Sequence, residues 1–319
     1  GLRFFLHDDR LLTWGGDENA IVWDTANGER RRFPHGGPVL CVEIFPGGDR
    51  FVACWRGRSD ACCSIWDLAS GSVLREIRAP KVSGLKVFLA GDRLLVRSSQ
   101  AVAIVVVDSG EALCELQAGV GRSYAVGVFP DGDRVFTSSE TETVVWSATS
   151  CAPMHRLSLS EWLEDGVVAG PGSEQIAILT IDGGIVLWNP EALGPPKQLV
   201  PPGEVDYGFV YGGLAGFPMG DGRVASWTFD ETVLWNGSAG TYLQGQPSWT
   251  AGIDVAPMGD ALAACGERGT TLWDTRTGNR LHMSDFEEEE EQEDDNSDVV
   301  TCLVAVGMAR VGHPLGVGL

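Results

Sequence analysis

The chain has 319 residues, of which 44% are hydrophobic and 21% charged, and its formal net charge at pH 7 is −21. This composition is typical of a folded protein and excludes a disordered chain. The negative charge disfavours direct binding of nucleic acid and favours basic partners. The longest apolar run, residues 101–107, is far shorter than the roughly 18 residues that a membrane span needs, so no membrane span is expected.

The cysteines give a first indication of the compartment. None of the eight forms a C-x-x-C pair, and most lie in apolar, strand-like runs. We therefore expect no zinc site, and we expect the thiols to act as small hydrophobic side chains. No signal peptide is visible at the start of the chain. These features favour a reducing intracellular compartment, and the cytoplasm is the expected location.

A Trp, replaced once by Val, is followed by a polar residue at intervals of 38 to 47 residues through the chain, about 42 on average. This period is typical of a propeller blade built from four strands. A glycine-containing turn precedes five of the anchors, in phase with them. The seven anchors are Trp23-Asp24, Trp66-Asp67, Val107-Asp108, Trp146-Ser147, Trp188-Asn189, Trp235-Asn236 and Trp273-Asp274.

Each period is predicted to contain four strands, which in the second period are "LCVEIF", "RFVACW", "CCSIWD" and "SVLREI". The third strands are apolar at consecutive residues, as expected when both faces of a sheet are covered. The fourth strands are charged, as expected for exposed edges. The predicted fold class is all-β, a seven-bladed β-propeller of four-stranded antiparallel blades.

The second period resembles the WD-repeat β-propeller family most closely. His35, Val39, Val42, Phe45-Pro46 and Trp66-Asp67 stand where that family has its Gly-His, its paired apolar residues, its turn and its Trp-Asp. The other periods lack the His, and three carry Ser or Asn after the Trp. The resemblance covers nearly the whole chain and implies a divergent WD-repeat propeller that binds partners on a rim of loops.

Three segments are predicted along the chain. Residues 1–284 form the seven blades, residues 285–298 form a disordered acidic loop, and residues 299–319 contribute an additional first strand. Because the first period begins inside its first strand, we expect the natural protein to be longer than this chain.

The acidic loop is the first candidate binding element. It has the sequence "DFEEEEEQEDDNSD", with ten acids and no base, and it includes Glu288, Glu289 and Glu290. The functional interpretation is electrostatic attraction of a basic protein segment. The alternative is a solvated loop without a partner.

The second candidate is a set of aromatic and basic residues near the ends of the second strands. Because the turns after these strands lie at one rim, we expect the set to form binding anchors there, since Trp and Arg are enriched in binding hot spots. The alternative is that the three Trp pack inside the blades. The set consists of Trp14, Trp55, Arg56, Arg58, Arg97 and Trp227.

The sequence contains few residues in arrangements typical of a catalytic site. The five His show no metal-ligand spacing, so no catalytic residue, metal or cofactor is predicted. The predicted function is a non-catalytic scaffold that binds other proteins. The alternative is a propeller hydrolase or oxidoreductase with a cation at the channel mouth. Its acids would be those that recur six residues before the anchors: Asp17, Asp60, Glu140, Asp182 and Glu267.

Overall fold

The computed structural model describes twenty ranges of the chain. They are residues 2–5, 10–16, 18–24, 28–57, 61–78, 81–98, 101–116, 125–139, 142–158, 163–169, 174–180, 185–192, 194–199, 212–217, 222–228, 231–236, 239–245, 250–256, 259–266 and 269–285. Within them the chain forms strands and no helix that could cross a membrane. The strands belong to two compact units, residues 1–162 and 163–319.

Unit 1 contains four antiparallel sheets, each made of four strands that pair in chain order. We call them blades 1 to 4. Blade 1 is β1 (Leu2–Phe4), β2 (Arg10–Trp14), β3 (Asn19–Asp24) and β4 (Arg30–Pro34), and blade 2 is β5 (Val39–Ile44), β6 (Arg50–Arg56), β7 (Ala61–Asp67) and β8 (Val73–Arg78). Blade 3 is β9 (Val82–Val87), β10 (Arg93–Ser98), β11 (Val102–Val106) and β12 (Ala112–Leu116), and blade 4 is β13 (Ala125–Val128), β14 (Arg134–Ser138), β15 (Glu142–Ser147) and β16 (Pro153–Ser158).

Unit 2 contains three sheets of the same kind, blades 5 to 7. Blade 5 is β17 (Leu163–Ala169), β18 (Ile176–Thr180), β19 (Ile185–Trp188) and β20 (Lys197–Leu199), and blade 6 is β21 (Gly212–Gly216), β22 (Arg223–Thr228), β23 (Thr232–Asn236) and β24 (Ala239–Leu243). Blade 7 is β25 (Thr250–Val255), β26 (Ala261–Gly266), β27 (Gly269–Asp274) and β28 (Arg280–Asp285). The prediction of an all-β chain with seven four-stranded antiparallel blades is confirmed.

The hydrophobic core lies between consecutive blades. In unit 1 one apolar cluster joins blades 1 and 2, a second joins blades 2 and 3, and a third joins blades 3 and 4. In unit 2 two further clusters join blades 5 to 6 and 6 to 7. The consecutive apolar residues of the third strands follow from this packing in blades 2, 3 and 6, because each of these sheets lies between two clusters and is covered on both faces.

An arginine at the start of the second strand ties one blade to the next. In five blades its guanidinium lies 4.3 to 4.6 Å from the ring centre of the Phe that directly follows the first strand. In blade 3, Arg93 stacks on Phe88 and donates to the carbonyls of Gly132 and Ala148 in blade 4, at 3.0 and 3.2 Å. We call this contact the arginine latch. It explains why a Phe and an Arg recur at the two ends of the turn between the first and second strands, as in "FPGGDR" at residues 45–50 and "FPDGDR" at residues 129–134.

Trp23 is half-buried and the other anchor tryptophans are buried. In five blades the indole N–H donates a hydrogen bond, including four blades that lack the family's His. Trp66 donates to His35 Nε2 at 3.1 Å. In blades 1, 4 and 6 the indole donates instead to a hydroxyl of the second strand, at 2.8 to 2.9 Å. In blade 7, Trp273 donates to the carbonyl of Gln244 at 2.9 Å.

Blade 3 differs from the sequence alignment by two residues. Arg93 at the start of β10 pairs with Val106, just as Arg50 pairs with Asp67 and Arg134 with Ser147. Val105 and Val106 therefore occupy the Trp-Asp positions, and not Val107-Asp108. Asp67 accepts hydrogen bonds from the hydroxyl and the backbone N–H of Ser70, and Asp274 accepts from backbone N–H groups of the turn that follows it. These bonds hold the pKa of each carboxyl below its usual value. Asp108 lies within the turn itself and is exposed.

The cysteines also differ from the expectation. Cys54 is bonded to Cys63 and Cys114 to Cys151, so these four are not free hydrophobic side chains. Cys54 and Cys63 face each other on paired strands, and this register brings the two sulfur atoms together. Cys41 is a free thiol.

The predicted segments at the end of the chain are covered only at their boundary. β28 extends to Asp285, the first residue of the predicted acidic loop. The rest of that loop and residues 299–319 lie outside the described residues.

Candidate partner-binding rim

The candidate rim of unit 1 is formed where the second strands of blades 1 to 3 end. Trp14 ends β2, Trp55 and Arg56 end β6, and Arg97 lies one residue before the end of β10. We call these four residues the rim surface. Since the chain turns toward the third strand directly after each of them, their side chains lie at one edge of the unit.

Trp14 and Trp55 are neighbours on the rim surface. The backbone carbonyl of Gly15, next to Trp14, accepts a hydrogen bond from Val39 at 3.1 Å, and Val39 is the strand partner of Trp55. Both indoles are half-buried against the cluster between blades 1 and 2. Each Trp therefore contributes to the core and keeps part of its surface exposed.

Trp55 is held by two further contacts. Its indole N–H donates to Ser64 Oγ at 3.2 Å. Its ring lies so close to Gly36 that a Cβ at that position would be 2.6 Å from the ring carbons. Because the ring is fixed on both sides, its exposed part would lose little conformational entropy on binding.

Arg56 and Arg97 add positive charge to the rim surface. Arg56 is exposed, and its backbone N–H donates to Pro38 O at 2.9 Å. Arg97 is half-buried and donates to Ser83 O at 2.9 Å. It lies over Gly84, where a Cβ would be 2.8 Å from Nε. The register between β9 and β10 changes at Arg97 and Ser98, and such a bulge re-aims a side chain at a strand end.

A charged group joins the first strands of blades 1 to 3, and sequence reasoning missed it. Glu43 of β5 accepts from Lys86 of β9 at 2.7 Å and from Arg3 of β1 at 3.0 Å. Burial alone would raise the pKa of the Glu43 carboxyl, but the two cations outweigh it and hold the pKa below its ordinary value. Since all three residues lie two positions before the Phe that directly follows each first strand, the phase of the repeat could have revealed the group.

Cys41 belongs to the same surroundings. Burial raises the pKa of its thiol to about 11, and the charge of Glu43 acts in the same direction. The thiol is therefore protonated at neutral pH and is a poor nucleophile.

The remaining predicted anchors are not among the four residues that define the rim surface. Trp227 lies in β22 of unit 2, half-buried, and its ring covers its strand partner Gly213. Arg58 and the acidic residues Glu288, Glu289 and Glu290 lie outside the described residues.

The residues of the enzyme alternative cannot be placed in a site. All five in-phase acids lie outside the described ranges. Among the residues that the structure does describe, no group of three His, Cys, Asp or Glu is close enough to hold a metal ion.

A shallow depression of about 450 Å³ lies in unit 2 between blades 5 and 6. Leu187, Asn189 and Asn236 are among its lining residues, and Lys197 is the one charged residue of that lining. A single lysine without a neighbouring acid or base offers no arrangement for acid–base chemistry.

The comparisons with known proteins identify relatives with low identity. No family model matches the chain. The chain is 22% identical over 192 residues to the transcriptional corepressor LEUNIG_HOMOLOG of Arabidopsis thaliana, a match that covers 59% of the chain and 24% of that protein. It is 27% identical over 158 residues to a guanine nucleotide-binding protein subunit beta of Nicotiana plumbaginifolia, covering 43% of the chain and 40% of the relative. Both relatives are WD-repeat proteins, and the chain spans less than half the length of either.

Proposed function

Since the chain is a divergent WD-repeat protein, we propose that it is a non-catalytic scaffold that holds a partner protein on the rim surface of unit 1. The observation that carries the proposal is the pair of half-buried indoles, Trp14 and the fixed Trp55, next to the exposed Arg56. Rigid aromatic side chains combined with Arg are typical of binding hot spots. The repeat scaffold keeps the ordering cost of binding low.

The proposed partner segment has both a complementary charge and an apolar part. The apolar part would cover the indoles, and a carboxylate or carbonyl of the partner would accept from Arg56. The acidic run at residues 286–298 would attract a basic stretch of the same partner before docking. A cytoplasmic location remains part of this proposal.

The test is the recovery of partners from a cell lysate at low and moderate salt. Arg56→Glu reverses an exposed charge on the rim surface, and Arg78→Glu makes the matched change on the exposed outer strand of blade 2. We expect Arg56→Glu to reduce the recovered partner at least tenfold, as for a hot-spot residue, while Arg78→Glu leaves it unchanged. Equal recovery with both variants would contradict docking at the rim surface.

A second variant tests the acidic run separately. Replacing residues 286–298 by Gly and Ser is expected to weaken recovery at low salt and to remove its salt dependence, because steering depends on screened charge. Unchanged recovery at both salt concentrations would show that the run has no part in binding. Metal analysis of the purified protein tests the enzyme alternative, since a stoichiometric divalent ion would support it.

A further inference from the structure

The outer strands of unit 1 make a second contact with the following blade. The contact is made by an arginine of the fourth, outer strand. Arg31 pairs with Val22 and Arg75 pairs with Ile65, and each of these partners directly precedes the anchor Trp of its blade. Arg31 donates to the carbonyls of Leu68 and Ala69 in blade 2, at 2.6 and 2.9 Å. Arg75 donates to Ser109 O in blade 3 at 3.2 Å. We call this contact the outer latch.

At the junction of blades 3 and 4, a cysteine takes the place of the arginine. Cys114 pairs with Ile104, the position before Val105, and so has the same register as Arg31 and Arg75. It makes no donor contact with a carbonyl of the next turn. It is instead bonded to Cys151 in that turn.

The receiving turn is altered at the same junction. In blades 2 and 3 its last residue is Gly71 or Gly110, with φ of 70° and 73°. In blade 4 the equivalent residue is Cys151, with φ of 58° and the same backbone hydrogen bond to the residue four positions earlier. A left-handed conformation is unfavourable for a residue with a Cβ. A glycine would adopt this conformation without strain, so the presence of a cysteine side chain at position 151 requires an explanation.

We propose that Cys114 and Cys151 form a reversible thiol–disulfide site that fastens blade 3 to blade 4. Oxidation makes the outer latch covalent at this junction, and a dithiol reductant opens it. Two departures from the repeat support the proposal: Cys114 replaces the arginine on blade 3, and Cys151 replaces the turn glycine on blade 4.

The reduction is an ordinary exchange reaction. A thiolate of the dithiol attacks one sulfur of the bridge, forms a mixed disulfide and releases the other cysteine as a thiolate, which takes up a proton. The second thiol of the reductant, after losing its proton, attacks the mixed disulfide. This releases the second cysteine and leaves the reductant as a disulfide. Two electrons pass to the protein, and a small-molecule disulfide reverses the reaction.

The second bridge provides an internal contrast. Cys114 and Cys151 are both half-buried, so a small thiol can reach them. Cys54 and Cys63 are fully buried in the cluster between blades 2 and 3. Because thiol–disulfide exchange requires access, the bridge between blades 3 and 4 should react first.

The experiment is a native titration of the purified chain with dithiothreitol, followed by alkylation and peptide mass spectrometry. We expect Cys114 and Cys151 to be labelled at a reductant concentration at least tenfold lower than Cys54 and Cys63. Hydrogen exchange of the same samples should show protection falling about tenfold in β12 and β16 and unchanged in β6 and β7. Addition of oxidised glutathione should restore the protection.

A variant separates the bridge from general effects of the reductant. Cys114→Arg with Cys151→Gly rebuilds the residues found at the junction of blades 2 and 3. Its exchange in β12 and β16 should not respond to dithiothreitol. Three outcomes would overturn the proposal: labelling of both bridges together, labelling of Cys114 and Cys151 without a change in exchange, or loss of protection in the variant as well. The first two need only the native chain, so they remain decisive if the variant does not fold.

Discussion

At the scale of single residues, the hydrogen bond from Trp66 to His35 requires a neutral imidazole, because a protonated Nε2 cannot accept. Burial lowers the pKa of His35 to about 4 from its ordinary 6.5. His35, in the loop between β4 and β5, therefore joins this loop to the anchor of blade 2 only while it carries no proton on Nε2. Its protonation state links the repeat motif to pH.

This pKa predicts a pH dependence of stability. Because the unfolded chain binds the proton at the ordinary pKa, the contribution of His35 is fully present above about 6.5 and is lost as the pH falls to about 4. We expect a loss of about 1–3 kcal/mol, limited by the partial exposure of the ring. The measurement is urea unfolding at several pH values between these limits.

The control for this prediction is His35→Gln, whose side-chain oxygen can accept from Trp66 without titrating. The carboxylates titrate in both proteins, so their effect cancels in the difference between the two curves. Parallel curves for the wild type and the variant would show that His35 is not responsible.

Two turn glycines at equivalent positions allow a second prediction. Gly28 and Gly71 have φ of 74° and 70°, but a Cβ on Gly28 would meet nothing within 4 Å, whereas one on Gly71 would collide with the guanidinium of Arg31. Gly28→Ala should cost about 1 kcal/mol for the backbone alone. Gly71→Ala should cost about 2–3 kcal/mol, because Arg31 must also leave its carbonyl partners. Thermal or urea unfolding measures both, and equal costs would argue against the outer latch.

At the scale of the element, strand pairing holds each blade together, and arginine side chains connect it to the next blade. Arg93 stacks on Phe88 with 4.4 Å between the guanidinium carbon and the ring centre, and donates to two carbonyls of blade 4. Removing it takes away the stacking and leaves the two carbonyls without this donor.

We therefore expect Arg93→Ala to lower the free energy of unfolding by about 2–3 kcal/mol. Arg93→Lys should recover only part of this loss, because an ammonium cannot reproduce the planar fork of the guanidinium. Arg78→Ala, on the exposed outer strand of blade 2, is the matched control and should change stability by less than about 0.5 kcal/mol. A similar change in the free energy of unfolding for Arg93→Ala and Arg78→Ala would show that the arginine latch does not stabilise the fold.

The sequence predicts the blades well where the Trp marks their phase. It fails by two residues in blade 3, because Val105 lacks the indole that identifies the position in other blades. The latches escape prediction for a different reason. Their acceptors are backbone carbonyls of another blade. Every residue has such a carbonyl, so the sequence does not show which one accepts. The disulfide pairing is likewise not deducible from sequence alone, although Cys151 stands where Gly71 and Gly110 stand in other blades.

The candidate site shows the same limit. Sequence reasoning identified Trp14, Trp55 and Arg56 at strand ends, because strand ends follow from the repeat. It did not identify Glu43 with its two cations, because that group is assembled from three first strands, each of which contributes one charge.

At the scale of the whole molecule, stability is divided among junctions rather than concentrated in one core. Phe33 and Phe51 pack edge to face in the cluster between blades 1 and 2, with their ring centres 5.0 Å apart. Val135 belongs to the cluster between blades 3 and 4. These clusters share no residue, so substitutions in them should act independently.

We expect the effects of Phe51→Leu and Val135→Ala on the free energy of unfolding to add within about 0.5 kcal/mol. Phe33→Leu and Phe51→Leu together should deviate from additivity by more than this, because the two rings touch. Urea unfolding of the single and double variants gives both coupling energies. Strong coupling between Phe51 and Val135 would indicate one continuous core.

The arginine latch also bears on how such a chain can change over time. The donor side needs a Phe and an Arg, but the acceptor side needs only a main-chain oxygen at the right place in a turn. A neighbouring blade can therefore lose its Trp, its His or its Asp and still receive the latch. A duplicated blade would bring its own donor and its own acceptor, so copying one repeat would preserve every junction while leaving the rest of its residues free to drift.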